Sequence, residues 1–206
     1  MNPTDVIKSF KQGAANNCAS IAIIKAAIHR YGIDNVYAEQ ISDNGDTQIT
    51  MRDKTTFEIS AKEVAKWAPK SKYIHINGDA TLRTYEYALK CFAVLVKCYA
   101  IKEEVSIDEA LDDICNDGLN SDYVYIYLGI PDEKISRLEF SDDGTRDLNQ
   151  FKKHDGYLFY NDNHVAMASL DNYDEYGELL PLEEFQGYHR RVFKPGKDFW
   201  AYKLVE

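Results

Sequence analysis

The segment Cys18–Tyr31, CASIAIIKAAIHRY, constrains the fold more than any other stretch of the chain. Ile21, Ile24, Ile28 and Tyr31 recur at steps of three, four and three, which places them on one helical face, and Ile23, Ala26 and Ala27 widen that face almost all round. A helix with so little polar surface has to be buried, and Gly32 stands where it should end. With 206 residues the chain can surround such a helix in a single unit with a substantial core, and it is short for two domains.

Periodicity sets the elements around it. Thr47, Ile49 and Met51 alternate, RDKT supplies a turn, and Phe57 and Ile59 alternate again, which predicts a hairpin. Ser60 with Glu63 forms the pattern of a capping box at a helix start, and Ser106 with Glu109 repeats it. Between them, a long helix is predicted from about Thr81 to Lys102, with Phe92, Leu95, Val96 and Tyr99 on one stripe. From Tyr123 onward the runs YVYIYLG, GYLFYN, HVAMASL, YHRRVF and DFWAYKL are short, aromatic and β-branched, and each is read as a strand. The expected fold is α+β: a helical lobe over about 10–120, a sheet lobe over about 121–206, and a cleft where they meet.

The 34 acidic residues outnumber the 24 basic ones and give a net charge of −10, which argues against general nucleic-acid binding and against anionic membrane surfaces. The longest apolar stretch, Cys91 to Tyr99, is interrupted by Lys97 and preceded by Lys90, so no transmembrane span is expected. The opening residues, MNPTDVIKSFKQG, carry charge where a secretory signal needs an apolar core. Cys18, Cys91, Cys98 and Cys115 form no C-x-x-C pair, and the expectation is reduced thiols in a cytoplasmic protein.

The sequence lacks GxxxxGK[ST], HExxH and GxSxG, which removes P-loop nucleotide hydrolysis, the common zinc peptidase site and the usual serine-hydrolase elbow. The acidic run DNYDEYGE lacks the oxygen spacing of an EF-hand and is read as a solvated loop. Chemistry concentrates instead in KQGAANNCASIAIIKAAI. Cys18 stands at the start of the buried helix, where the positive end of the dipole and free amides favour a thiolate. Gln12, six residues earlier, can turn its side-chain amide toward an oxyanion.

A base has to come from five histidines. His29 lies eleven residues along the same helix, roughly 16 Å from Cys18, and is excluded. His75, His154 and His189 lie in polar contexts and read as surface residues. His164 opens HVAMASL directly after NDN, where a sheet edge can hold it over a cleft, and it follows Cys18 by 146 residues.

Gln-x5-Cys leading into an apolar helix, with a distant His at the head of a strand, resembles the papain-like cysteine peptidases. The hairpin after the helix and the segment FAVLVKCYAIKEE are most similar to the calpain branch, over about residues 10–200. That resemblance implies a papain-like fold with Cys18 as nucleophile, His164 as base and Gln12 as oxyanion donor, acting without a cofactor on a polypeptide substrate. The activity implied is hydrolysis of peptide or isopeptide bonds. Two alternatives stand beside it: an inactive binding module, or a thiol acyltransferase of transglutaminase type. The sequence departs from the pattern in placing Asn17 before and Ala19 after the cysteine, and Lys194 before Pro195 where the family has its histidine-orienting Asn. Lysine cannot accept the imidazole proton. If HVAMASL turns back at Tyr173–Asp174, residues near 184 lie opposite His164, so the acceptor expected is a side-chain or backbone oxygen from residues 183–187, with Glu184 or Gln186 as candidates, or an ordered water.

Overall fold

The computed structural model describes residues 1–43, 46–138, 148–161, 164–185 and 200–206. Helix α1 (Pro3–Ile7) starts at Asn2, whose side chain accepts the Thr4 amide, and leads into the short strand β1 (Phe10–Lys11). Helix α2 has the predicted bounds, Cys18–Tyr31, and every residue from Ala19 to Ile28 is buried. Gly32 follows it at φ 91°, a backbone region that L side chains rarely adopt.

Strands β2 (Ala38–Ile41), β3 (Thr47–Thr50) and β4 (Thr56–Ile59) form an antiparallel meander. The predicted hairpin is β3–β4, with Ile49 opposite Phe57. Strand β2, AEQI, has no buried residue and so leaves no alternation to read. Helix α3 (Ala61–Trp67) begins at Ser60 with both halves of its capping box made: the Ser60 hydroxyl accepts the Glu63 amide at 3.2 Å, and the Glu63 carboxylate accepts the Ser60 amide at 2.8 Å. Strand β5 (Ile74–His75) pairs with β1.

Helix α4 (Leu82–Glu103) buries Cys91, Phe92, Leu95, Val96 and Cys98. Helix α5 (Ile107–Asp112) is capped by the Ser106 hydroxyl and runs into one π-helical turn, Asp113–Asp117. All four cysteines are free thiols. Among the described residues, no helix is long and apolar enough to cross a membrane.

One expectation about the lobes is corrected. Among the described residues the first half is mainly helical, as expected, with the short strands β1 to β5 beside its helices. YVYIYLG is not a strand but a 3-10 helix over Val124–Leu128, packed against α2 and α4 and ended by Gly129 at φ 62°. Its buried residues, Val124, Tyr125 and Leu128, are spaced as on a helical turn, and so short an apolar run carries no period that separates helix from strand.

The second half supplies one antiparallel sheet. Strands β6 (Ile135–Arg137), β7 (Tyr157–Tyr160), β8 (Val165–Ser169), β9 (Asn172–Glu175), β10 (Glu178–Pro181) and β11 (Trp200–Leu204) are arranged β10-β9-β8-β7-β11-β6. GYLFYN and HVAMASL are β7 and β8, and the described part of DFWAYKL is β11. YHRRVF lies outside the described residues. Helix α2 packs across β7, β8 and β11. Along β7, Leu158 and Tyr160 join the main core around α2 and α4, while Tyr157 and Phe159 join a second cluster with Phe151 and Phe185. Both faces are covered, which explains why β7 and β8 read as unbroken apolar runs.

DNYDEYGE also differs from expectation. It is strand β9, a turn at Tyr176–Gly177 and the start of β10, with Tyr173 and Asp174 buried. Asp174 escapes the usual exposure of acidic residues because it meets a lysine of α2.

Candidate functional site

The loop leading to Cys18 is fixed at four points. The Gln12 side-chain amide donates to the Ala15 carbonyl at 2.7 Å, which folds the loop on itself. The Asn16 amide donates to the Cys115 carbonyl at 2.6 Å and its side chain to Asn116 at 3.2 Å. The Asn17 side chain donates to the Ser71 carbonyl at 2.8 Å, so it ties the loop to the segment before β5 instead of capping α2. Gly13 lies against the Lys72 carbonyl so closely that a Cβ there would sit 2.0 Å from the oxygen. Gly13→Ala is therefore expected to displace the loop and destabilise the protein by about 1–3 kcal/mol. Urea unfolding checks this, and a midpoint equal to that of the wild type would contradict it.

His164 stands immediately before β8. The Asn161 side chain accepts its amide at 2.9 Å, and the Asn161 amide donates to its carbonyl at 2.9 Å, which closes the β7–β8 connection around it. The expectation of a sheet edge is corrected: β8 lies inside the sheet, between β7 and β9, and it is the end of the strand that meets the cavity. His164 is 8 % exposed, and its ring lies near-parallel to two others, Tyr176 at 6.2 Å and 27° and Phe185 at 5.9 Å and 19°.

Cys18 and His164 line one cavity of about 640 Å³, open between the N-terminus of α2, the 117–122 segment and the ends of β7 and β11. Asp122, Tyr160 and Trp200 share it. The Tyr160 hydroxyl donates to Asp122 at 2.5 Å, and its ring stacks on Trp200 at 6.1 Å. Gln12 lies instead in a narrow neighbouring cleft, which it shares with His164, Asp174 and Tyr176.

The electrostatics correct the expectation of a resting thiolate. Burial pushes the Cys18 thiol up, and the backbone amides of Val165, Ala19 and Cys18 itself pull it back by less. Burial also pushes His164 down to about 4. Burial thus favours the neutral thiol and the neutral imidazole over their charged forms, and a proton has to move between them as chemistry begins. The amide of Val165 matters for geometry as well, because Val165 follows His164 directly and its effect on the sulfur puts Cys18 beside the head of β8.

The other expectations divide. His29 is held by the Met1 carbonyl at 2.7 Å, away from this cavity. His75 and His154 are half-buried rather than surface residues: His75 stacks on Tyr85 at 5.0 Å and His154 meets the Tyr157 ring edge-on. His189, Gln186 and Lys194 lie outside the described residues. The turn after β8 comes at Leu170–Asp171, not at Tyr173–Asp174, since Ser169 pairs with Asn172. Continuing that register sets Gly177 opposite His164, with the neighbouring Tyr176 ring against the imidazole, and leaves Glu184 exposed on a short 3-10 turn. Within the 183–187 window, the described residue that meets the imidazole is Phe185, through its ring.

The position of His164 makes stability depend on pH. In the unfolded chain it binds a proton below about pH 6.5, whereas the folded protein refuses that proton until about pH 4. Stability is therefore expected to fall as pH drops through this window, by about 3 kcal/mol in all, and this contribution levels off below it. Urea midpoints of wild type and His164→Gln between pH 7 and pH 4 isolate the effect, because the other groups are common to both. Parallel curves would rule it out.

Sequence reasoning missed Asp122, Tyr160 and Trp200 as walls of the cavity. They come from a turn and two different strands and share no spacing with Cys18. Lys25 was also passed over, although a lysine inside an otherwise apolar helix is a signal in itself. No family model, curated protein or solved structure matches the chain.

Proposed function

We propose that the protein is a thiol hydrolase of papain-like type that cleaves peptide or isopeptide bonds through an acyl-enzyme on Cys18. The observation that carries this reading is the shared cavity: a cysteine at the N-terminus of a buried helix and a histidine at the head of a strand face the same space, with the Val165 amide acting on the sulfur. A surface of that volume suits an extended polymer segment or a side chain carrying an acyl group.

The neutral pair defines the order of proton movements. His164 takes the thiol proton as the Cys18 sulfur attacks the carbonyl carbon, and the charge moves onto the carbonyl oxygen. The Cys18 backbone amide stabilises that oxygen, and the Gln12 amide, which gives one hydrogen to Ala15 and lines the neighbouring cleft, joins it only by turning its second hydrogen toward the cavity. The imidazolium then protonates the leaving amine. Neutral again, it removes a proton from water, which attacks the thioester and releases the acid and the thiol.

The test uses p-nitrophenyl acetate, whose acyl group any competent thiolate accepts. Wild type is expected to release p-nitrophenol in a burst and to carry one acetyl group on Cys18 by mass spectrometry, while His164→Gln acylates much more slowly. Equal rates in the two proteins would remove His164 from the mechanism.

A further inference from the structure

Lys25 is fully buried at the middle of α2, two helical turns beyond Cys18, and is the charged residue of that helix's buried surface. Its ammonium meets Asp174 at 2.6 Å, donates to the Ile7 carbonyl at 3.0 Å and lies over the Phe10 ring. Apolar residues of similar volume fill such a position without loss of stability as a rule, because desolvating two charges offsets their attraction. The arrangement around Asp174 shows what else the pair does. One carboxylate oxygen takes Lys25, and the other accepts the Gly177 amide at 2.7 Å. Gly177 closes the β9–β10 turn next to Tyr176, whose ring lies on His164. Tyr176 is held there at φ 51°, a conformation that L side chains rarely adopt and that persists when its surroundings fix it.

We propose that Lys25 and Asp174 are positioning residues for the Cys18–His164 pair, fastening the helix that carries the thiol to the turn that walls the imidazole. The inference rests on the thiol hydrolase reading. It follows one continuous chain of contacts: α2 through Lys25, Asp174, the Gly177 amide, Tyr176 and the His164 ring. Gln12, His164, Asp174 and Tyr176 line the same narrow cleft, so a shift of the turn opens the space behind the base to water. The charged and titratable groups around the ring are Cys18, Asp117, Asp122 and Tyr160 at the cavity and Asp174 with Tyr176 at the cleft.

The experiment compares wild type, Lys25→Met/Asp174→Leu and Tyr176→Gly. The double variant removes both charges together, which leaves no unpaired ion in the core. Tyr176→Gly removes the wall at a half-exposed position with a residue suited to its backbone angle. Two readouts are taken: the His164 ring titration by NMR, and the rate of Cys18 acylation by p-nitrophenyl acetate. In both variants the His164 titration is expected to move up from about 4 toward the ordinary 6.5 as water reaches the ring. Acylation is expected to fall by at least about tenfold, as misplacement of a reacting group by a fraction of an ångström implies. A folded double variant with unchanged titration and unchanged acylation overturns the positioning role and leaves the hydrolase reading intact. If the double variant does not fold, unchanged values in Tyr176→Gly overturn it equally. Wild type that acylates no faster than His164→Gln overturns both the role and the reading on which it rests.

Discussion

Asp174→Ala is expected to lower the free energy of unfolding by about 3–5 kcal/mol, the largest loss from any single substitution considered for this protein. The cause is less the missing attraction than what remains. Lys25 is fully buried, and burial already pushes its ammonium below the ordinary lysine range, with Asp174 opposing that shift. Without the carboxylate, the ammonium keeps one carbonyl, that of Ile7, and the Phe10 ring, and the Gly177 amide loses its acceptor. Lys25 escapes part of the cost by releasing its proton, so the variant should regain stability as pH rises, and more steeply than the wild type, in which Asp174 opposes the lowering of Lys25. Urea unfolding at pH 7 and pH 9 measures both effects. A loss under about 1 kcal/mol would mean that water reaches this pair in the folded protein.

Cys18→Ala should remove thiol chemistry altogether, with a fall of at least about 10⁴ in acyl-transfer rate and a change in stability near 1 kcal/mol or less. The two magnitudes separate because Cys18 is a partly buried residue at a cavity wall, while the helix that carries it is held by the residues from Ala19 to Ile28. Cys91, Cys98 and Cys115 do not substitute for it. Burial pushes Cys91 and Cys98 up to about 12 and Cys115 to about 11, which leaves few thiolates at neutral pH. Steady acetyl transfer by Cys18→Ala, with the acetyl group found on another cysteine, would relocate the nucleophile.

What could be read from the sequence was what local chemistry decides. The bounds of α2 follow from a 14-residue apolar period that ends in glycine, and the start of α3 from two side chains three residues apart that bond each other's backbone. Cys18 and His164 were legible because each sits at an element boundary: a loop rich in small residues before a helix, and a polar turn before a strand. YVYIYLG failed as a strand because its composition is β-prone while its contacts, to α2 and α4, reward a tight helical turn. The hairpin after β8 was placed too late because DNYDEYGE carries its turn at Tyr176–Gly177, while the earlier turn at Leu170–Asp171 has no glycine or proline to announce it. The Lys25–Asp174 pair joins residues 149 positions apart, and no local pattern encodes that distance.

The place of β11 in the sheet has a consequence for when the molecule can acquire its shape. Among the described strands of the sheet it comes last in chain order, yet it lies between β7 and β6, and its first residue, Trp200, is part of the cavity wall. During synthesis from the N-terminus, α2 emerges early with a surface that has to be covered by strands translated far later. Until β11 inserts, β6 and β7 have open edges toward one another. Non-local closure of this kind slows folding as a rule, and the apolar helix stays uncovered until it is complete. It also makes the cavity a product of the finished sheet, so a ribosome-bound chain that has completed the helices and β7 to β10 carries the thiol and the imidazole but not the enclosure around them.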